Sequence, residues 1–119
     1  MKKMNWDEIP AEQVNEKFLR KLAWDGSQMI SWMECKKGAF VPAHSHHNAQ
    51  LTFVVKGKWQ FEMEGEKFFV GANDLLFIPP NVVHSAEAVE DVVAYDVFTP
   101  PREDWISGTD AYLRNAKNK

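Results

Sequence analysis

Apolar and polar side chains alternate with a period of two through most of this chain, which confines it to half-buried β-strands. Trp59, Phe61 and Met63 alternate with Lys58, Gln60, Glu62 and Glu64, and Glu64-Gly65-Glu66 then reads as a hairpin turn into residues 67–70. Further strands are predicted at residues 28–35, 50–56, 75–78, 85–89 and 92–98. Turn residues separate them: Lys37-Gly38, Gly57, Gly71-Ala72-Asn73-Asp74, Pro79-Pro80-Asn81 and Glu90-Asp91. Strands this short and this evenly spaced, with almost no helical period between them, predict an all-β sandwich or barrel. Residues 14–24 read as one more strand, or as one that pairs with a partner chain, and residues 109–115 as a short helix.

The 119 residues suffice for one domain. With 5 Trp and 8 Phe the chain can build a compact core. A formal charge of -3, with no basic run beyond Lys36-Lys37 and the short ends, gives no field for nucleic acid. No apolar stretch approaches the roughly 18–20 residues needed to span a bilayer, so no membrane partner is expected. The start, Met-Lys-Lys-Met-Asn-Trp-Asp-Glu, lacks the apolar segment of a secretory signal. Cys35 is the only cysteine, which excludes an intrachain disulfide and a Cys-rich zinc site. A cytoplasmic location and a buried, inert thiol are the expectations.

All 4 histidines fall between residues 44 and 84. His44 and His46 are two apart, so on an extended segment both point to one side, and His84 follows the Pro79-Pro80-Asn81 turn. Two such imidazoles and a third from an adjacent strand can converge on one cation, neutral imidazole being a common ligand for Zn, Ni, Fe and Cu. A His in a strand is more often a surface or hydrogen-bonded core residue, and His-x-His by itself leaves the two readings even. His47, of opposite parity, is expected at the rim and not as a ligand.

The spacing Gly38-x5-His44-x-His46-x3-Gln50-x6-Gly57 resembles the first cupin motif, which usually has Glu at the place of Gln50. Residues 73–84, Asn-Asp-Leu-Leu-Phe-Ile-Pro-Pro-Asn-Val-Val-His, resemble the second, with Asn73 and Asn81 where Gly is usual. Asn is the non-glycine residue that best tolerates a left-handed backbone, so these departures are mild. The resemblance implies a cupin barrel (a double-stranded β-helix, or jelly roll) over residues 28–105. Residues 1–27 are then an N-terminal extension offering a strand for dimer pairing, and 106–119 a tail or short helix. With Gln50 in place of Glu, a bound dication keeps its full charge and is the stronger Lewis acid. Three His plus water, with Gln50 unligated, is the alternative.

Val92, Ala94, Asp96 and Phe98 share one face of the last predicted strand. An acidic residue in an apolar face is costly unless paired or functional. Arg102 follows across Thr99-Pro100-Pro101, and the two groups read equally as an acid/base with an anion clamp or as a salt bridge closing the barrel. The ending Asp96-Val97-Phe98-Thr99-Pro100-Pro101-Arg102-Glu103-Asp104-Trp105, together with Gln50, is similar to the pectin-degradation cupins. Members of that family linearise 4,5-unsaturated monouronates released by pectate and alginate lyases. The likeness implies that His44, His46, Gln50 and His84 hold one divalent metal ion (Ni, Zn, Fe or Mn), with Asp96 and Arg102 catalytic. It further implies that Phe98 and Arg102 contact a small sugar acid. An Fe- or Mn-dependent dioxygenase and a non-catalytic sugar-binding cupin remain as alternatives. A homodimer is expected, since a small barrel can pair edge strands with a twin.

Overall fold

The computed structural model describes all 119 residues, and its ten strands follow the alternation. They are β1 (Glu12–Asn15), β2 (Phe18–Trp24), β3 (Met29–Cys35), β4 (Phe40–His44), β5 (Ala49–Lys56), β6 (Lys58–Met63), β7 (Glu66–Gly71), β8 (Leu75–Ile78), β9 (His84–Ala88) and β10 (Val92–Thr99). Two short helices, α1 (Glu103–Ser107) and α2 (Ala111–Arg114), follow β10. Every pairing is antiparallel, in one sheet ordered β1-β2-β3-β10-β5-β8 and a second ordered β4-β9-β6-β7. This is the all-β jelly roll that the motif spacing predicts.

Left-handed turns hold the strands where the sequence places them. Asn73 and Asn81 take φ of 69° and 67°, the conformation that Asn tolerates in place of Gly. Gly57 turns β5 into β6 at φ 85°, where a Cβ would collide with the carbonyl oxygen of Asp91. Asn81 also donates its N–H to the carbonyl of His46 at 2.8 Å, so the turn before β9 grips the loop after β4.

The core lies between the two sheets. Met29, Met33, Val54, Ile78 and Phe98 face Trp59, Phe61, Val70 and Ala86 across it. Burying a Phe or Ile side chain is worth roughly 1.5–3 kcal/mol, so an inward polar residue forgoes about that much. The inward row of the larger sheet carries several: Ser31, Thr52, Asp96 and Gln50 are all buried. Register sets them side by side, Asp96 between Ser31 and Thr52, and Phe98 beside Gln50.

Two segments depart from the sequence expectation. Residues 14–24 do not form one strand; β1 and β2 make a hairpin, and β2 pairs along β3 of the same chain from Phe18 opposite Cys35 to Trp24 opposite Met29. Apolar residues on both faces of β2 made its partner unreadable. β4 was not predicted as a strand, because Pro42 interrupts its alternation. Its ladder with β9 is irregular between Val41 and His44, where that proline sits. Cys35 is buried, as expected of an inert thiol, and burial pushes its pKa well up. No helix is long and apolar enough to cross a membrane.

Candidate metal centre and adjoining carboxylate

His44 ends β4 and stands opposite His84, the first residue of β9. His46 lies beyond the end of β4 in the loop to β5, so strand alternation alone does not aim it. Asn48 does much of that work. Its carbonyl faces His46 Nδ1 at 3.0 Å, and its buried side chain donates to the carbonyls of Pro100 (2.6 Å) and Pro101 (3.2 Å). The loop bearing His46 is thereby fastened to the segment that leads into Arg102.

In each of the three imidazoles Nδ1 lies against a backbone carbonyl: Pro42 for His44 (2.8 Å), Asn48 for His46 (3.0 Å) and Val82 for His84 (2.8 Å). Such a contact places the ring proton on Nδ1 and leaves Nε2 with a free lone pair. One ring nitrogen from each of the three falls within 4.8 Å of the others. The His84 Nε2 is buried with no hydrogen-bond partner. Burial, foremost, holds the His44 pKa down to about 3 and the His46 pKa down to about 4, with lesser effects of neighbouring charge; burial also lowers that of His84. All three are therefore neutral at physiological pH.

Gln50, at the start of β5, completes the group. Its Oε1 stands 3.0 Å from His46 Nε2, and its Nε2 donates to Thr52 Oγ1 at 2.9 Å. His46 thus faces oxygen acceptors with both nitrogens, yet a neutral imidazole has one proton to give. With that proton toward Asn48, Nε2 and Oε1 confront each other as two lone pairs, an arrangement that a shared cation resolves. The orphaned His84 Nε2 makes the same demand. Three neutral imidazoles and an amide oxygen suit a divalent transition metal, and the donor set fits one. His47 is exposed and apart from this group.

Asp96 points inward from β10, buried, and accepts from Thr52 Oγ1 at 2.6 Å. Burial raises its pKa to about 6, against the opposing pull of Thr52 and of Arg102. Arg102 and Asp96 form no ion pair. Arg102 instead donates from Nε and Nη2 to the two carboxylate oxygens of Asp104 (3.0 and 2.9 Å) and from Nη2 to the hydroxyl of Tyr112 (2.8 Å). The barrel-closing salt bridge between Asp96 and Arg102 is therefore not formed. Phe98 packs edge-on to His46, with ring centroids 5.7 Å apart, and against Trp105 at 5.0 Å.

His44, His84, Gln50, Thr52, Asp96, Phe98 and Arg102 line one cavity of about 40 Å³, enough for an ion or a water molecule. Tyr112 and Trp105, from the C-terminal helices, close it. A buried ion pair holds that closure in place, Arg20 of β2 to Asp110 at 2.8 Å, extended by Glu12 and Arg114. Sequence reading missed Asn48, Thr52, Asp104 and Tyr112. The inward parity of Thr52 beside Gln50 was a signal for one of them; Asn48 acts from a loop, and Asp104 and Tyr112 from the short helices α1 and α2, through contacts that no periodicity announces.

The chain is similar in sequence and in fold to known proteins. The chain is 29% identical over 103 residues to the pectin degradation protein KdgF of Dickeya dadantii, covering 84% of this chain and 94% of that one. It superposes on KdgF from a Halomonas species with a TM-score of 0.81 at 29% identity, covering 88% and 98% of the two chains. An RmlC-like cupin from Shewanella frigidimarina matches with a TM-score of 0.80 at 26% identity, covering 86% and 93%. The cupin domain matches residues 31–98, which span both histidine-bearing motifs, and the chain belongs to the cupin domain family.

Proposed function

We propose that this protein is an enzyme of pectin or alginate breakdown that opens the ring of 4,5-unsaturated monouronates with the help of one divalent metal ion. The observation that carries the reading is the position of Asp96, a wholly buried carboxylate of raised pKa joined through Thr52 to Gln50 beside the histidine trio. The chain's likeness to two KdgF proteins, one of them named a pectin degradation protein, supports the reading.

In the cyclic substrate the anomeric carbon carries a hydroxyl, and the ring oxygen is attached to the C4=C5 double bond. Asp96 takes the anomeric hydroxyl proton, the C1=O bond forms, and the bond from C1 to the ring oxygen breaks. The electron pair passes to the enol oxygen and C4, and the proton held by Asp96 is returned there, giving the linear keto-aldehyde. Atoms balance without an oxidant or reductant. A metal ion on His44, His46, His84 and Gln50 Oε1 would supply Lewis acidity toward substrate oxygens. Arg102 binds the substrate carboxylate through Nη1, the guanidinium nitrogen that Asp104 and Tyr112 leave free. Phe98 shapes the wall beside His46. A cavity of 40 Å³ does not admit a sugar ring, so part of its wall, in which Tyr112 stacks on His44, moves for substrate to enter.

The test is the loss of ultraviolet absorbance when metal-loaded protein is added to freshly lyase-generated unsaturated galacturonate. A rate above the spontaneous one, abolished by a chelator and by Asp96→Asn, is expected. A flat trace at full metal occupancy, with O₂ consumed on some other small molecule, would replace this reading with a dioxygenase.

The reading includes a homodimer. Two rows of the outer face of the larger sheet are apolar almost from edge to edge: Leu75, Phe53, Tyr95 and Trp32 in one, and Phe77, Leu51, Val97, Ile30 and Ala23 in the other. Leu75 and Phe77 are 58% and 69% exposed in the single chain, and a second copy would cover them.

A further inference from the structure

We propose that Thr52 is a positioning residue that sets which end of the Gln50 side chain faces the histidine trio, and so makes Gln50 a metal ligand. The inference rests on the reading that the trio and Gln50 hold a cation. A glutamine amide can present either oxygen or NH₂ in a given direction, and only the oxygen coordinates a cation. Thr52 Oγ1 lies 2.6 Å from Asp96 Oδ1, and a carboxylate oxygen only accepts, so the single hydroxyl proton of Thr52 is given to Asp96. What remains on Oγ1 is lone-pair capacity. Gln50, 2.9 Å away, must then offer its NH₂ to Thr52, which turns Oε1 toward His46 Nε2 at 3.0 Å.

Register makes the chain of contacts short. Gln50 and Thr52 share the inward face of β5, and Asp96 stands directly opposite Thr52 on β10. Both Thr52 and Asp96 are buried, so water does not compete for these bonds. The same logic accounts for glutamine at position 50 where the first cupin motif usually has glutamate. A carboxylate there would set a second acceptor against Thr52 Oγ1, whose proton is already committed to Asp96. Thr52 thus links the proton-handling side of the site to the cation-holding side by direction of donation.

Nickel(II) titrated calorimetrically into metal-free protein tests this. Thr52→Val keeps the shape and removes both hydrogen-bonding capacities, and should weaken nickel binding by about 10–100-fold, as loss of ligand-orienting partners does elsewhere. Thr52→Ser should restore it. Gln50→Ala should weaken binding as well, and the Thr52→Val/Gln50→Ala double variant should bind no worse than Gln50→Ala alone, because the two act as one unit. A purely structural role for Thr52 would instead give losses that add, with a lowered melting temperature of the metal-free protein. Nickel affinity unchanged in Thr52→Val, or strictly additive losses, would overturn the inference. Unchanged affinity in Gln50→Ala would overturn it and leave a three-histidine site standing. Failure of the wild type to bind nickel, with His84→Ala no different, would overturn the metal reading together with it.

Discussion

Tyr112 lies stacked on His44, ring centroids 4.6 Å apart and planes at 26°, so a residue of the C-terminal helix covers one of the candidate metal ligands. The Tyr112 hydroxyl accepts from both Arg102 Nη2 (2.8 Å) and Trp105 Nε1 (3.1 Å). Arg102 has Asp104 as a second partner; Trp105 Nε1 has none. Tyr112→Phe keeps the stack and orphans the indole N–H of a buried tryptophan. A loss of about 1–2 kcal/mol in unfolding free energy is expected from urea denaturation. Unaltered stability would mean that water replaces the hydroxyl and that the closure over His44 is looser than these bonds imply.

Asp96 should impose an acid limb on activity. With its pKa raised to about 6, the carboxylate is the base form above that pH and is lost below it. kcat/KM should fall about tenfold per unit below the carboxyl pKa, which the charge of a bound dication moves below 6, and Asp96→Asn should cost about 10²–10⁴-fold at neutral pH. Stability moves the other way. A carboxyl whose folded pKa is raised holds its proton more tightly when folded, so its contribution is present below about pH 4 and lost as pH rises through 6. In metal-free protein, Asp96→Asn should therefore gain on the order of 2–3 kcal/mol relative to wild type between pH 4 and pH 8. Comparing the two proteins cancels the histidines, which titrate over the same range.

The histidine trio gives a prediction of opposite sign. Burial lowers the folded pKa of His44 to about 3 and of His46 to about 4, from 6.5. Unfolded imidazoles take up protons below pH 6.5 while the folded ones do not, so metal-free stability should decline as pH falls from 6.5 toward 4. Protons on His44 and His46 of the folded protein compete with a cation only near the bottom of that window. Nickel affinity by calorimetry should accordingly fall less between pH 7.5 and pH 5.5 than three imidazoles of ordinary pKa would make it. A surface histidine cluster with ordinary pKa values would show that full fall over the same interval, and a loss of that size would contradict the neutral, carbonyl-oriented geometry.

Parity explains what the sequence revealed of this site and what it hid. Gln50, Asp96 and Phe98 sit on strands where alternation decides which side faces inward, and all three are buried. His44 and His84 could be paired because the spacing of the two cupin motifs places them, and their strands are neighbours. His46 is different: its direction comes from Asn48 and Asn81, through hydrogen bonds that local pattern does not encode. Tyr112 and Asp104 reach the site only because a buried Arg20–Asp110 pair, 90 residues apart in sequence, seats the C-terminal helices. The N-terminal hairpin was obscured for a different reason, since β2 carries apolar residues on both its core face and its outer face.

That outer face yields the last prediction. Five strands present apolar residues away from the core; Trp6 of the N-terminal segment packs on Trp32 and Tyr95, with ring centroids 6.0 and 6.1 Å away, and Met4, Trp6 and Ile9 line a groove with Ala23, Ile30 and Val97. Leu51, Phe53, Leu75 and Phe77 remain as a contiguous patch along β5 and the edge strand β8. A patch of this kind on a single chain is a cost in water, and self-association about a two-fold axis removes it. Light scattering should report twice the chain mass of 13.7 kDa. Phe77→Glu combined with Phe53→Glu should shift the species to a monomer without unfolding it, because both side chains point away from the core. A wild-type monomer would leave the face without this partner, and a dimer indifferent to both charges would move the contact to the free edge of β1.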